Sequence, residues 1–128
     1  MKRIGIVVSL TLCFLLAMTA CSSGEQGQDP ASVKVEMTTE PAAPVAASEV
    51  DLIAKLTGLV KADGAKVQFD IRSENKNALP DVVTAESQGN GAYSVKKTFD
   101  KPGVYTIYIH VYQGDLHITK KKEVTVTS

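Results

Sequence analysis

The chain has 128 residues, with 14 basic and 14 acidic side chains that cancel at pH 7. This length is enough for one domain core, and the charge balance provides no electrostatic footprint for binding nucleic acid. Nucleic-acid binding is therefore excluded from the function classes that we consider.

The N-terminal segment predicts a bacterial secretion signal. Lys2 and Arg3 precede an almost unbroken apolar run over residues 4–18, and Cys21 follows Ala20 directly. The run of about 15 residues falls short of the ~20 that a permanent membrane-spanning helix needs. We interpret residues 1–20 as a removed lipoprotein signal peptide. Cys21 would then carry acyl chains such as palmitate and anchor the protein at the extracytoplasmic face of the cell membrane.

Two alternatives to a lipoprotein signal stay open at this point. An ordinary secretion signal would end in two small residues around its cleavage site, and Met18-Thr19-Ala20 matches that pattern poorly. An uncleaved anchor is the other alternative, and the short apolar run argues against it.

Signal processing also removes the cysteines from the folded part. Cys13 would leave with the signal and Cys21 would be lipidated, so we expect no thiol catalysis, cysteine-based metal site or disulfide. Removing Lys2 and Arg3 leaves 12 basic against 14 acidic residues, which is a formal charge of −2.

The mature chain divides into a tether and one domain. Residues 21–32 are rich in Ser, Gly, Gln and Asp and predict a flexible tether, and residues 33–128 form the domain. A first edge strand is expected at 33–37. Pro41 and Pro44 exclude a central strand from the irregular stretch 40–48.

From Glu49 onward, apolar and polar residues alternate with a period of two, which indicates half-buried strands. Breaks rich in Gly, Pro, Asn and Asp separate about seven short runs, and no long helical period occurs after the signal. This content predicts an all-β, immunoglobulin-like β-sandwich.

Two local patterns have a structural interpretation. Tyr105 follows Pro102-Gly103 at the start of a strand, where sandwiches of this type direct a tyrosine hydroxyl back to upstream backbone. The basic run Lys120-Lys121-Lys122 is expected to be a solvated strand end or bulge that blocks edge pairing, rather than a partner site.

The two histidines of the chain, His110 and His117, are the candidate metal ligands. If Gln113-Gly114 forms a two-residue loop, His110 lies directly opposite His117 on an exposed face, and Thr119 lies opposite Tyr108. Two neutral imidazoles at such a distance can share Cu(II) or Zn. Two unrelated surface histidines would show the same pattern.

A metal site also requires a third ligand, and several side chains qualify equally at this stage. The candidates are Asp115, Asp70, Glu86 and Met37.

The same face offers a metal-free alternative. Tyr108 and Tyr112 flank the histidines, and exposed aromatic side chains of this kind anchor protein interfaces. No nucleophile–base arrangement or phosphate-binding loop can be assembled from the sequence, so we expect a binding protein and not an enzyme.

The region from Val67 to the C-terminus resembles the YtkA-like/FixH-like family of bacterial envelope proteins. The matching features, in chain order, are Val67-Gln68-Phe69-Asp70-Ile71, Gly91-Ala92-Tyr93-Ser94, Phe99 with Gly103-Val104-Tyr105, His110-Val111 with Leu116-His117, and Lys121-Lys122-Glu123-Val124 with Val126.

This resemblance implies an immunoglobulin-like sandwich and a role in copper handling or cytochrome oxidase assembly, with a membrane protein such as an oxidase subunit as partner. Family members often carry His-x6-His-x-Met-Pro. Here Thr119 and Lys120 replace the Met and Pro. Because a thioether is the ligand that favours Cu(I), their replacement implies a weaker or different site, or none.

Overall fold

The computed structural model of the protein describes residues 28–128, so the signal peptide at 1–20, Cys21 and residues 22–27 lie outside the described part. A 3-10 turn at Pro30–Ser32 precedes eight strands. They are β1 (Lys34–Glu40), β2 (Glu49–Thr57), β3 (Lys66–Arg72), β4 (Asp81–Thr84), β5 (Glu86–Gly89), β6 (Ala92–Thr98), β7 (Gly103–Gln113) and β8 (Leu116–Val126).

The strands form two four-stranded antiparallel sheets, ordered β1-β2-β6-β5 and β4-β3-β7-β8. The all-β sandwich predicted from the sequence is confirmed, and the strand order is that of immunoglobulin-like sandwiches. The strand beyond the seven expected is β5. Its residues Glu86–Gly89 are almost entirely exposed and therefore lack an alternating pattern.

The core lies between the sheets and consists of the inward-facing residues, which are every second residue along each strand. Phe69 on β3, together with Ile107 and Ile109 on β7, is completely buried. Leu52 and Tyr93 cover them from the opposite sheet. Burial of these side chains removes apolar surface from water at about 25 cal/mol per Å² and supplies the main driving force for folding.

Tyr105 occupies the structural position that the sequence predicts. Its hydroxyl donates a 2.7 Å hydrogen bond to the carbonyl oxygen of Lys101, and its ring lies 4.4 Å from that of Phe99. This tyrosine corner ties the β6–β7 connection to the start of β7.

The lysine run is not at a strand end or in a bulge, which corrects that part of the prediction. Lys120 to Lys122 lie in the middle of β8, whose pairing with β7 is uninterrupted from Gly103–Val126 to Gln113–Leu116. Because β8 is an edge strand, Lys120 and Lys122 face inward at the sheet margin. Inward-pointing charges at an edge oppose pairing with another chain.

The first described residues pack against one end of the sandwich. Gln28 accepts a 2.8 Å hydrogen bond from the Val60 amide and donates a 3.3 Å bond to the carbonyl of Gly58. The side chain of Val33 is buried. Residues 28–32 of the predicted tether therefore contact the domain.

Within residues 28–128, no helix has the length and apolar character required to cross a membrane.

Candidate functional site

The outer side of the β4-β3-β7-β8 sheet carries both histidines. We call the side chains of Tyr108, His110, Tyr112, His117 and Thr119 the histidine face. They project outward because β7 and β8 direct alternate residues to opposite sides of the sheet, and their neighbours Ile109, Val111 and Leu116 are buried.

The register of β7 and β8 differs by two residues from the predicted one. His117 lies opposite Tyr112, and His110 lies opposite Thr119. The turn uses Gly114-Asp115, with Gly114 at φ +55°, instead of Gln113-Gly114. The two histidines are therefore diagonal neighbours rather than directly opposed. A shift of two residues keeps every side chain on its own face, so the hydrophobic pattern is satisfied by both registers.

The diagonal arrangement still brings the two imidazoles together. The ring centroids of His110 and His117 are 5.8 Å apart. The His117 ring stacks on Tyr112 at 4.3 Å with an angle of 19° between the planes. Lys66 lies 5.9 Å from the centre of the Tyr112 ring. The rings of His110, Tyr112 and His117 thus form a continuous aromatic patch next to the turn of the β7–β8 hairpin.

His110 contacts polar partners through both ring nitrogens. Its Nδ1 lies 3.0 Å from the hydroxyl oxygen of Thr119, and its Nε2 lies 3.8 Å from Oδ2 of Asp70. Asp70 is on β3, which pairs with β7 on the side away from β8. The imidazole of His110 is consequently held between the two neighbouring strands.

Asp70 is buried although it lies on the outer side of the sheet, with only 6% of its surface exposed. Arg72 binds both of its carboxylate oxygens, at 3.0 and 2.7 Å. The guanidinium also lies 5.1 Å from the ring centre of Tyr108. The hydrogen bond from Arg72, aided by its charge and by His110 and opposed by burial, lowers the pKa of the Asp70 carboxyl.

This lowered pKa predicts a specific pH dependence of stability. Because the pKa of Asp70 is lower in the folded chain, ionised Asp70 stabilises the fold above its unfolded pKa of about 3.9, and the benefit is lost as pH falls through the folded value. We expect Asp70→Asn to lower the free energy of unfolding at pH 7. The difference from wild type should shrink below about pH 4.

Urea unfolding monitored by tyrosine fluorescence from pH 3 to 7 measures this difference. Asp115→Asn is the matched control, since it removes a carboxylate from the exposed turn. It should leave the unfolding curves unchanged. A gap between Asp70→Asn and wild type that persists undiminished to pH 3 would contradict the role assigned to the carboxylate.

The candidate third ligands are distributed unevenly around the histidines. Asp70 contacts His110, and Asp115 lies in the turn two residues before His117. Met37 and Glu86 belong to strands of the opposite sheet. Among residues 28–128, no three His, Cys, Asp or Glu side chains gather closely enough to hold a metal ion.

Asp70 was one of four candidate ligands predicted from the sequence, but neither its contact with His110 nor the binding of Arg72 to Asp70 was predicted. The alternation along β3 indicates that both side chains face outward, which places them on the histidine-bearing side only if β3 pairs with β7. That pairing is between strands about 40 residues apart in the chain. The order of strands in the sheet therefore decides whether Asp70 and Arg72 lie beside the histidines.

Comparisons of the chain with protein-family models and with curated proteins find no match.

Proposed function

We propose that the chain is a non-enzymatic binding or accessory protein, anchored through acyl chains on Cys21 at the extracytoplasmic face of the cell membrane. Its binding surface would be the histidine face, and its partner a membrane protein. The family resemblance points to an oxidase subunit as the kind of partner. The anchor is supported by the apolar run and by the position of Cys21.

The observation that carries the binding surface is the aromatic patch on the hairpin. Tyr112 and His117 stack at 4.3 Å, and Tyr108 lies under the guanidinium of Arg72. Tyrosine and arginine side chains that are already held by neighbours lose little conformational freedom on association. Such side chains are enriched among the residues that dominate interface energies.

The polar contacts of His110 also favour a protein contact over a metal site. Thr119 and Asp70 already approach its two nitrogens, and Arg72 occupies both oxygens of Asp70. A metal ion on Asp70 would stand beside the Arg72 guanidinium on the same buried carboxylate, and the two positive charges would repel each other.

Photo-crosslinking in membranes of the producing cell tests the binding surface. A photoreactive side chain is introduced at Tyr112, and the control carries it at Lys96 on the outer side of the opposite sheet. We expect a discrete crosslinked membrane protein from the Tyr112 position alone. Equal crosslinking from both positions, or none from Tyr112, would contradict the proposed surface.

Copper handling is the second candidate function, favoured by one specific geometry. The ring centroids of His110 and His117 lie 5.8 Å apart, so two nitrogen ligands are neighbours, and the described residues bring no third such ligand within reach of both. These are ligand types that suit Cu(II), and the missing thioether at Thr119 disfavours Cu(I). Bound copper would supply redox or carrier chemistry that the side chains themselves lack.

Calorimetric titration of the purified mature protein with Cu(II) at pH 7 separates the two candidates. If copper handling is correct, binding should be lost in the double variant His110→Ala/His117→Ala. If the protein contact is correct without metal, crosslinking from Tyr112 should proceed equally with and without Cu(II). A wild-type protein that does not bind Cu(II) removes the copper candidate.

A further inference from the structure

The position of Gln28 shows where the chain from the anchor reaches the domain. Its side chain is hydrogen bonded to Gly58 and Val60 and lines a cleft with Gln113, the last residue of β7, and with Gly114 of the β7–β8 turn. We call this end of the sandwich the tether end. It comprises loop 58–65, the Gly89-Asn90-Gly91 turn and the β7–β8 turn.

The number of residues between the anchor and Gln28 limits how far the tether end can lie from the bilayer. Only seven peptide units separate Cys21 from Gln28. A fully extended chain spans at most about 3.6 Å per residue, so the two Cα atoms are at most ~25 Å apart. This limit rests on the proposed lipidation of Cys21.

We call the opposite end of the sandwich, where β7 begins, the far end. Under that limit, the domain cannot stand on the bilayer with its far end against the lipid. Strand β7 runs between the two ends with 11 residues. At about 3.3 Å per residue it spans roughly 33 Å, which exceeds the reach of the tether. The exposed side chain of Leu79 lies at the far end, in the connection before β4. It is therefore directed away from the lipid when the strands stand perpendicular to the bilayer.

The tether end also has the chemistry of a surface that meets lipid headgroups. The side chain of Val60 is 55% exposed next to the Gln28 contact. Lys61 and Lys66 lie on the same side, together with Asp63 and Asp115, so charges of both signs surround it. An exposed aliphatic side chain among such charges suits contact with zwitterionic lipid headgroups.

We propose that the tether end of the anchored protein faces the lipid headgroups, so that the Tyr112–His117 stack lies at membrane level. The histidine face then lies roughly perpendicular to the plane of the bilayer. Tyr108 lies four residues further along β7 and about 13 Å further from the lipid. This deepens the proposed function, because it restricts partners of the stack to protein segments close to the membrane surface.

Two matched cysteine variants test the orientation in the full lipid-anchored chain. Ala62→Cys labels the tether end and Lys101→Cys labels the far end. Both are exposed residues whose carbonyl oxygens accept a hydrogen bond from a tyrosine hydroxyl. Lipidation would convert Cys21 to a thioether, so only the introduced thiol would react with a dye. The unsubstituted protein reports any background labelling.

The labelled proteins are purified from membranes and reconstituted into vesicles of phosphatidylethanolamine and phosphatidylglycerol that carry an acceptor dye on the headgroups. We expect several-fold higher energy transfer from position 62 than from position 101, because about 30 Å separates the two ends. Equal transfer from both positions, or higher transfer from 101, would overturn the orientation while the proteins still float with the vesicles. Failure to float would overturn the lipid anchor and the orientation together.

Discussion

Phe69→Ala should lower the free energy of unfolding by about 3–5 kcal/mol. Phe69 is completely buried in β3 and belongs to the cluster that both sheets share. The substitution removes most of an aromatic side chain and leaves a cavity, because the two packed sheets cannot collapse fully around it. Since a domain of this size is stable by only 5–15 kcal/mol, a substantial unfolded fraction is expected on mild heating.

Chemical denaturation of wild type, Phe69→Ala and Val82→Ala measures this effect. Val82 is 54% exposed on β4, the strand that pairs with β3, so its truncation is the control. We expect Val82→Ala to change stability by no more than about 0.5 kcal/mol. A loss below 1 kcal/mol for Phe69→Ala would mean that the two sheets do not pack around this residue.

Gly58→Ala should detach the first described residues from the tether end. Gly58 has φ +83°, and a Cβ atom at this position would lie 2.0 Å from the carbonyl oxygen of Ser32. The left-handed conformation alone costs an L-residue about 1–2 kcal/mol. The clash with the backbone forces a further displacement of the segment around Ser32, and with it the hydrogen bonds of Gln28 to Gly58 and Val60.

Gly89→Ala is a closely matched control for this substitution. Gly89 has φ +87°, nearly the same backbone conformation, but no atom lies within 4 Å of its added Cβ. The difference between the two variants therefore isolates the contact with Ser32 from the cost of the backbone angle. Hydrogen exchange of the amides of Val33 and Val60 should accelerate in Gly58→Ala and not in Gly89→Ala. Equal exchange in both variants would show that the segment is not seated on Gly58.

The positions of the outward side chains follow directly from the alternation of the sequence. Tyr108, His110 and Tyr112 alternate with Ile109 and Val111, so one side of β7 is polar and aromatic in any sandwich that this pattern can form. The tyrosine corner at Tyr105 is similarly local, because its partner Lys101 is only four residues away. Local patterns and turn residues were sufficient for both predictions.

The pairing of His117 depended on the turn, and the alternation could not determine it. Registers that differ by two residues bury the same apolar side chains, so Leu116 and Ile118 face inward in both. The choice between them depends on which two residues form the turn. Gly114 adopts φ +55° at its first position, which glycine accepts without strain. This places His117 on Tyr112 and leaves His110 beside Thr119.

The sequence by itself determined the sandwich, its two faces and the side chains that each face presents, because a period of two and the turn residues are properties of neighbouring positions. Only the tertiary structure decided that β3 pairs with β7, which places Asp70 and Arg72 against His110. It also decided that Gln28 lies beside the β7–β8 turn. Both contacts join residues far apart in the chain, and their formation depends on how the sheets pack rather than on any local preference.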